Sequence, residues 1–296
     1  MRDSSTEYQA FSTLPRHRVG SDAPFYAIFG VIGGLYVLLL LGMLAADVAY
    51  MASSDAAVPA GWEAFAPLIR PLLPIVAAVR DPDIQYSIKL TLVSCLFTAI
   101  LSLIVAVPIG YLLSRFRFPG RNLLDAILDI PIVLPPLVVG LSLLVLFQFW
   151  PFSAVADKVV YQIPAVILAQ FMVAAAFAVR IMRATFDQID TRLENVALTL
   201  GCTRAQAFGR VVLPQARHGL LTAGTLAWAR ALGEFGPLLI FAGATRRKTE
   251  VLSTTVFLEL TIGKLESAVA VSLIMVMAAV IVLVIARLWG SRSLTL

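Results

Sequence analysis

Charge is what this sequence has least of. Only 14% of its 296 residues are Asp, Glu, Lys or Arg, where a soluble domain carries about a quarter. So small a stock cannot cover a water-facing surface, which excludes an ordinary soluble fold. Histidine and cysteine are also scarce, at two each. His17 and His218 fall outside the apolar blocks. No His-rich metal cluster or Ser/His pair can therefore sit at membrane depth, which argues against a membrane enzyme. Cys95 lies in an apolar block and Cys202 in a polar stretch. Two such cysteines make neither a disulfide framework nor a zinc spacing. Both read as small packing residues.

What is present is apolar residue, 59% of the chain, in blocks close to the roughly 20 residues that cross a bilayer. The expected class is all-α, a polytopic bundle of about six transmembrane helices. The spans fall near 25–50, 87–114, 130–150, 163–182, 219–242 and 268–288. Glycine and proline inside them do not veto the assignment, because neighbouring helices can satisfy freed backbone groups. The polar start, residues 1–24, and the long apolar block after it do not resemble a cleaved secretory signal. We read the block as a retained first span.

The net charge of +5 would suggest nucleic acid in a soluble protein. Beside membrane spans it sets orientation instead, because basic loops stay in the cytoplasm. No nucleic-acid partner is expected. Arg16, Arg18, Arg115, Arg117, Arg121, Arg180, Arg183, Arg192, Arg204, Arg210, Arg217, Arg287 and Arg292 share one side of a six-span layout. The Arg246-Arg247-Lys248 cluster opposes the bias. Both termini are expected in the cytoplasm. Trp62, Trp150, Trp289, Tyr50 and Tyr86 sit near span ends as interface anchors. A longer outer loop, 51–86, is rich in Ala and Pro and is expected to carry a short helix around Trp62–Leu73. No repeat of fixed period is visible, which counts against transporters built from internal repeats.

The informative stretch lies between the fourth and fifth spans. Thr191 and Glu194 have the spacing of a capping box. Leu193, Val196, Ala197 and Leu200 then fall on one helical face. Gly201 stands where a left-handed cap is wanted. Thr203 and Gln206 repeat the box, Phe208, Val211 and Val212 give a second apolar face, and Pro214 ends that helix or opens the next. Two short capped helices joined at a glycine elbow are either a plain surface hairpin or a lever.

The stretch resembles the cytoplasmic signature of binding-protein-dependent ABC import permeases: E-A-A, three residues, G, nine residues, I, one residue, L-P. Asn195-Val196-Ala197, Gly201, Val211 and Leu213-Pro214 keep that spacing. The departures are Asn195 for Glu, Val196 for Ala and Val211 for Ile; Glu194, one residue early, reads as the helix cap. The resemblance runs over roughly 87–290 and takes in the 130–140 segment, IPIVLPPLVVG, and the 231–237 segment, ALGEFGP. It implies the fold of an ABC type I importer permease, in the inner membrane of a bacterium or archaeon. Glu194, Asn195, Val196, Ala197, Leu200, Gly201, Leu213 and Pro214 would form the coupling element within 191–214. It would dock on a separate cytoplasmic ATPase dimer that binds the ATP. The permease itself would need no cofactor and catalyse no reaction. A periplasmic or tethered substrate-binding protein, a second permease copy and membrane lipid are the other implied partners.

Arg230 and Glu234, four residues apart, lie deep in the fifth span. Ionisable groups there are costly and point to function. They read either as a self-neutralising structural pair or as a gate in the translocation path, with Phe235 beside them and Gly233, Gly236 and Pro237 as hinges. The Leu232-Gly233-Glu234-Phe235-Gly236 wording resembles molybdate, tungstate and sulfate permeases, which implies an oxyanion cargo. Phosphate, iron, thiamine and polyamine permeases of the same family are the alternatives. A secondary transporter or channel would want several intramembrane acids or a filter sequence, and the spans hold almost none beyond Glu234. The 243–249 segment, GATRRKT, has a passing likeness to a phosphate loop but lacks the glycine before its lysine.

Overall fold

The computed structural model describes residues 23–53 and 72–291. Residues 1–22, Trp62 and half of the 51–86 loop, including nearly all of the expected 62–73 helix, lie outside the described residues. Contacts divide the chain into two units, Met1–Ala49 and Tyr50–Leu296. The first is dominated by α1 (Ala23–Ala52), whose side chains are apolar on every face and almost all exposed.

The second unit opens with α2 (Leu72–Arg80) and α3 (Pro82–Arg115). Asp81 caps α3, its carboxylate accepting the Asp83 N–H at 2.8 Å, and Pro82 fills the first position, where no donor is needed. The span expected from residue 87 therefore begins five residues earlier. α3 packs along α7 (Ile163–Gln188) on a small-residue face. A Cβ on Gly110 would stand 2.9 Å from the Met182 Cβ and the Arg183 nitrogen. Such close approach is how helices associate where no hydrophobic effect drives them together. α11 (Arg217–Leu232) completes this core through Ala223, Ala227 and Trp228.

Two expected spans are not continuous. The third consists of α4 (Arg121–Val133) and α5 (Pro136–Leu146), which meet at 111°. Leu134 and Pro135 are extended. Neither Pro135 nor Pro136 can donate a helical hydrogen bond, and a residue before proline avoids the helical region. The fifth breaks after Leu232 and resumes at Pro237 as a π-helical turn, Leu238–Ala242. Among the described residues, α1, α3, α7 and α13 (Leu265–Ser291) are long and apolar enough to cross a membrane unaided. α6 (Ala156–Val159) is a single turn between α5 and α7.

The segment between the fifth and sixth spans is not a plain loop. It holds α12 (Leu252–Thr261), which packs on α13 with Leu252, Ala270, Val271 and Ile274. The ends of α3 separate the two polar layers. Asp83, near its start, pairs with Arg246 and Arg247, and Tyr86 donates to the Lys248 carbonyl at 3.2 Å. Tyr111 and Arg115, near its end, hold the 190s segment. Thirty-four residues span about 50 Å, so those two loops lie at opposite ends of the bundle. Arg246 also binds Glu259 at 2.6 Å. Two of the three cations in the cluster that opposed the charge bias are thus paired locally.

Candidate functional site: a clamped lever and two crossing breaks

The polar segment after α7 folds as two short helices around a glycine. α8 (Thr191–Thr199) is capped by Asp190, which accepts the Arg192 N–H at 2.9 Å. The expected Thr191/Glu194 box is therefore corrected: Asp190 reaches the free N–H groups first, and Glu194 points inward instead. Gly201 takes φ +90°. The Cys202 N–H donates to Ala197 O at 3.1 Å and the Gly201 N–H to Leu198 O at 3.0 Å, a left-handed cap that satisfies the last carbonyls. The second box forms as expected, with Thr203 and Gln206 bonded reciprocally at 2.9 and 3.3 Å. It starts α9 (Arg204–Ala207), which runs through a π turn, Phe208–Val212, into α10 (Leu213–Gln215). Pro214 follows the π turn, near the end of this continuous helical stretch, so it neither ends the helix at once nor opens a separate one.

Glu194 is only 5% exposed and lies against the end of α3. Tyr111 donates a short hydrogen bond to it, and Arg115 Nε is 3.4 Å away. Arg115 also donates to Ile189 O at 2.9 Å, at the joint between α7 and α8. The Phe208 ring stands edge-on to Tyr111, with centroids 4.8 Å apart, and Arg204 lies over Phe116. Both helices of the lever are thus pinned to α3. Its outer edge is apolar and uncovered: Val196 is 56% exposed and Leu200 80%. Asn195, Gly201 and Pro214 are also exposed, Leu213 is half-buried, and only Ala197 of the signature face turns inward.

The second constellation is where the two broken helices cross. A Cβ on Gly140 would stand 2.7 Å from the Pro237 Cα, and one on Gly236 would stand 2.8 Å from the Pro136 Cβ. Backbone touches backbone there, and only glycine fits. Arg230 Nη1 is 2.6 Å from Glu234 Oε2, and Glu234 is 1% exposed. Ser253 donates to the Glu234 carbonyl at 2.6 Å. Gln170, fully buried on α7, accepts from Thr98 and donates to the Ala231 carbonyl at the break. Phe235 packs on Phe257, centroids 5.3 Å apart. Gly233 is exposed at the end of α11. Among the described residues no group of His, Cys, Asp or Glu is arranged to hold a metal ion.

Residues 106–293 match the family model of the binding-protein-dependent transport system inner membrane component. The chain belongs to this family. Among this permease's relatives is the sulfate transport system permease protein CysT of Salmonella typhimurium, 34% identical over 69% of this chain and 76% of that protein. Another is the molybdate/tungstate transport system permease protein WtpB of Pyrococcus abyssi, 38% identical over 57% of this chain and 64% of that protein. The fold is shared with a bacterial ABC transporter involved in the import of the acidic polysaccharide alginate, with a TM-score of 0.69 and 18% identity over 92% of this chain and 96% of that one. The permease is a multi-pass membrane protein of a transport family.

The sequence reading of this permease singled out the lever and the Arg230–Gly236 segment, but neither the break in the third span nor what holds the lever. Tyr111 and Arg115 were not anticipated as the clamp, although the aromatic and arginine stand at one end of an apolar run. Gln170 was also missed, although a glutamine inside a span is itself a signal. Arg180, assigned to the loop, lies within α7, which continues to Gln188.

Proposed function

We propose that this permease is one half of the transmembrane part of an ATP-driven importer whose cargo is a small tetrahedral oxyanion: sulfate, molybdate or tungstate. The single observation that supports the coupling is the lever. A rigid element with an uncovered apolar edge, pinned to a spanning helix at its back, is what transfer of force from a separate ATPase requires. Asn195, Val196, Leu200 and Gly201 make the docking edge, with Leu213 and Pro214 at its far end. Glu194 and Ala197 hold it to the bundle. An ATPase dimer sits beneath it, a second permease copy completes the path, and a substrate-binding protein delivers cargo at the opposite end, near Asp83 and Arg247.

The cargo assignment is supported by the relatives, which are named for sulfate and for molybdate and tungstate. The crossing of α5 and α11 at their breaks is the natural moving part, because broken helices can swing without unfolding. Both termini and the lever lie in the cytoplasm in this reading. The test is uptake of labelled sulfate and molybdate by proteoliposomes holding the permease, its ATPase and its binding protein. Uptake that needs ATP hydrolysis is expected. A binding protein that carries an amino acid, sugar or iron, found by elemental analysis of the purified protein, overturns the cargo assignment and leaves the importer. Uptake driven by a proton gradient alone overturns both.

A further inference from the structure

The surface of the second unit is not uniform. Over their middle turns the outward faces of α3 and α13 are apolar, with Val93, Phe97 and Ile104 on one and Val280, Ile281 and Ile285 on the other. Such faces suit lipid. A third face differs. On the inner half of α7, Arg180 has its side chain 62% exposed, paired through a two-pronged contact with Asp129 of α4, Nε to Oδ1 2.6 Å. One turn deeper along α7, the Arg230 guanidinium lies 5.9 Å over the Phe177 ring, with Glu234 behind it.

Arg180 lies 17 residues from one end of α7 and 8 from the other, or about 26 and 12 Å. With a helix of about 39 Å centred on a hydrocarbon core of about 30 Å, that puts it inside the core. An arginine facing lipid there costs about 3 kcal/mol or more. It does not extend toward the helix end to escape, because its fork is turned sideways onto Asp129. A charged side chain at this depth that is not inside the bundle must face a water-filled space.

We propose that this face of α4, α7 and α11 lines the translocation path, and that Arg180 and Arg230 are the cations the oxyanion meets as it passes. The proposal rests on the oxyanion reading above and deepens it. Each arginine carries a carboxylate partner, Asp129 or Glu234. An oxyanion offers the same two-pronged geometry as a carboxylate, so the guanidinium can exchange one for the other. A free arginine pair would trap a dianion. Arginines already neutralised bind weakly enough to release it, which conduction requires.

The test uses the assembled complex in proteoliposomes, in a Cys202→Ser background. Phe177→Cys, a turn deeper than Arg180, should react with a charged, membrane-impermeant thiol reagent, and Phe97→Cys should not. Inorganic sulfate or molybdate should protect Phe177→Cys. Adding Asp129→Asn, which frees Arg180, should lower the half-protecting anion concentration roughly tenfold, and adding Arg180→Gln should raise it by a similar factor, about 1.4 kcal/mol each. Arg180→Lys, which keeps the charge and loses the fork, should raise it by less than Arg180→Gln does. An unreactive Phe177→Cys, or protection that ignores both Asp129→Asn and Arg180→Gln, overturns the proposal. Wild-type uptake in the same vesicles separates the two levels. Uptake of oxyanion with either of those results removes only this lining; no uptake of any oxyanion removes the cargo assignment and the lining with it.

Discussion

At the scale of residues, glycine and buried charge do most of the specifying. Gly140 and Gly236 let two helix breaks touch, each against the other's proline. An added methyl has backbone beside it at under 3 Å, and forced overpacking costs about 1–3 kcal/mol. Gly236→Ala is therefore expected to lower the thermal midpoint of the purified permease and to cut uptake at least tenfold. An unchanged midpoint and rate would contradict the crossing. Glu250 makes a different kind of prediction. It is buried just before α12, and one carboxylate oxygen, Oε2, has no hydrogen-bond partner. Burial pushes its carboxyl above the ordinary value of 4.5, partly offset by Thr255 and Arg246. The native state then keeps the proton to higher pH than the unfolded chain does. Stability contributed by the neutral form is full below about pH 4.5 and is lost as pH rises through the raised folded value. Glu250→Gln should accordingly melt higher than wild type at neutral pH, with the gap closing toward pH 4.5. A gap that widens on acidification would reverse the sign of the argument.

At the scale of elements, the lever and its clamp are separable. Val196 and Leu200 on its edge are largely exposed, so Val196→Asp or Leu200→Asp should leave the midpoint within about 0.5 kcal/mol of wild type while the ATPase no longer co-purifies. Glu194→Gln does the opposite. The amide still accepts from Tyr111, but Arg115 loses its buried counter-ion, a loss of up to about 3 kcal/mol. The ATPase should stay bound, with hydrolysis continuing and uptake falling, because the lever no longer pulls on α3. These elements also mark what the sequence discloses. Gly201, Thr203 and Gln206 act through neighbours two to four residues away, so their caps are legible. Pro135-Pro136 is different: the prolines stand in the sequence, but the apolar run around them masks the break. Glu194 with Arg115 and Tyr111 spans about 80 positions. Nothing local distinguishes that clamp from a capping box, and Asp190 was free to take the cap.

At the scale of the whole molecule, sequence patterning places apolar side chains on the outside of the long helices and two polar layers at opposite ends of α3. Class and the family signature are visible in composition and spacing, because they follow from the bilayer and from short-range caps. Where the third and fifth spans break, and that their breaks meet, is a tertiary fact that hydropathy averages away. The account's central claim is that the edge of α8 seats on a separate ATPase. The most direct measurement is a photo-crosslinking side chain placed at Leu200 and, as a control, at Leu260 on α12, in the assembled complex. The account predicts a crosslink to the ATPase from position 200 and none from position 260. A crosslink from 260 alone, or none from 200 in a complex that hydrolyses ATP and transports, would contradict it.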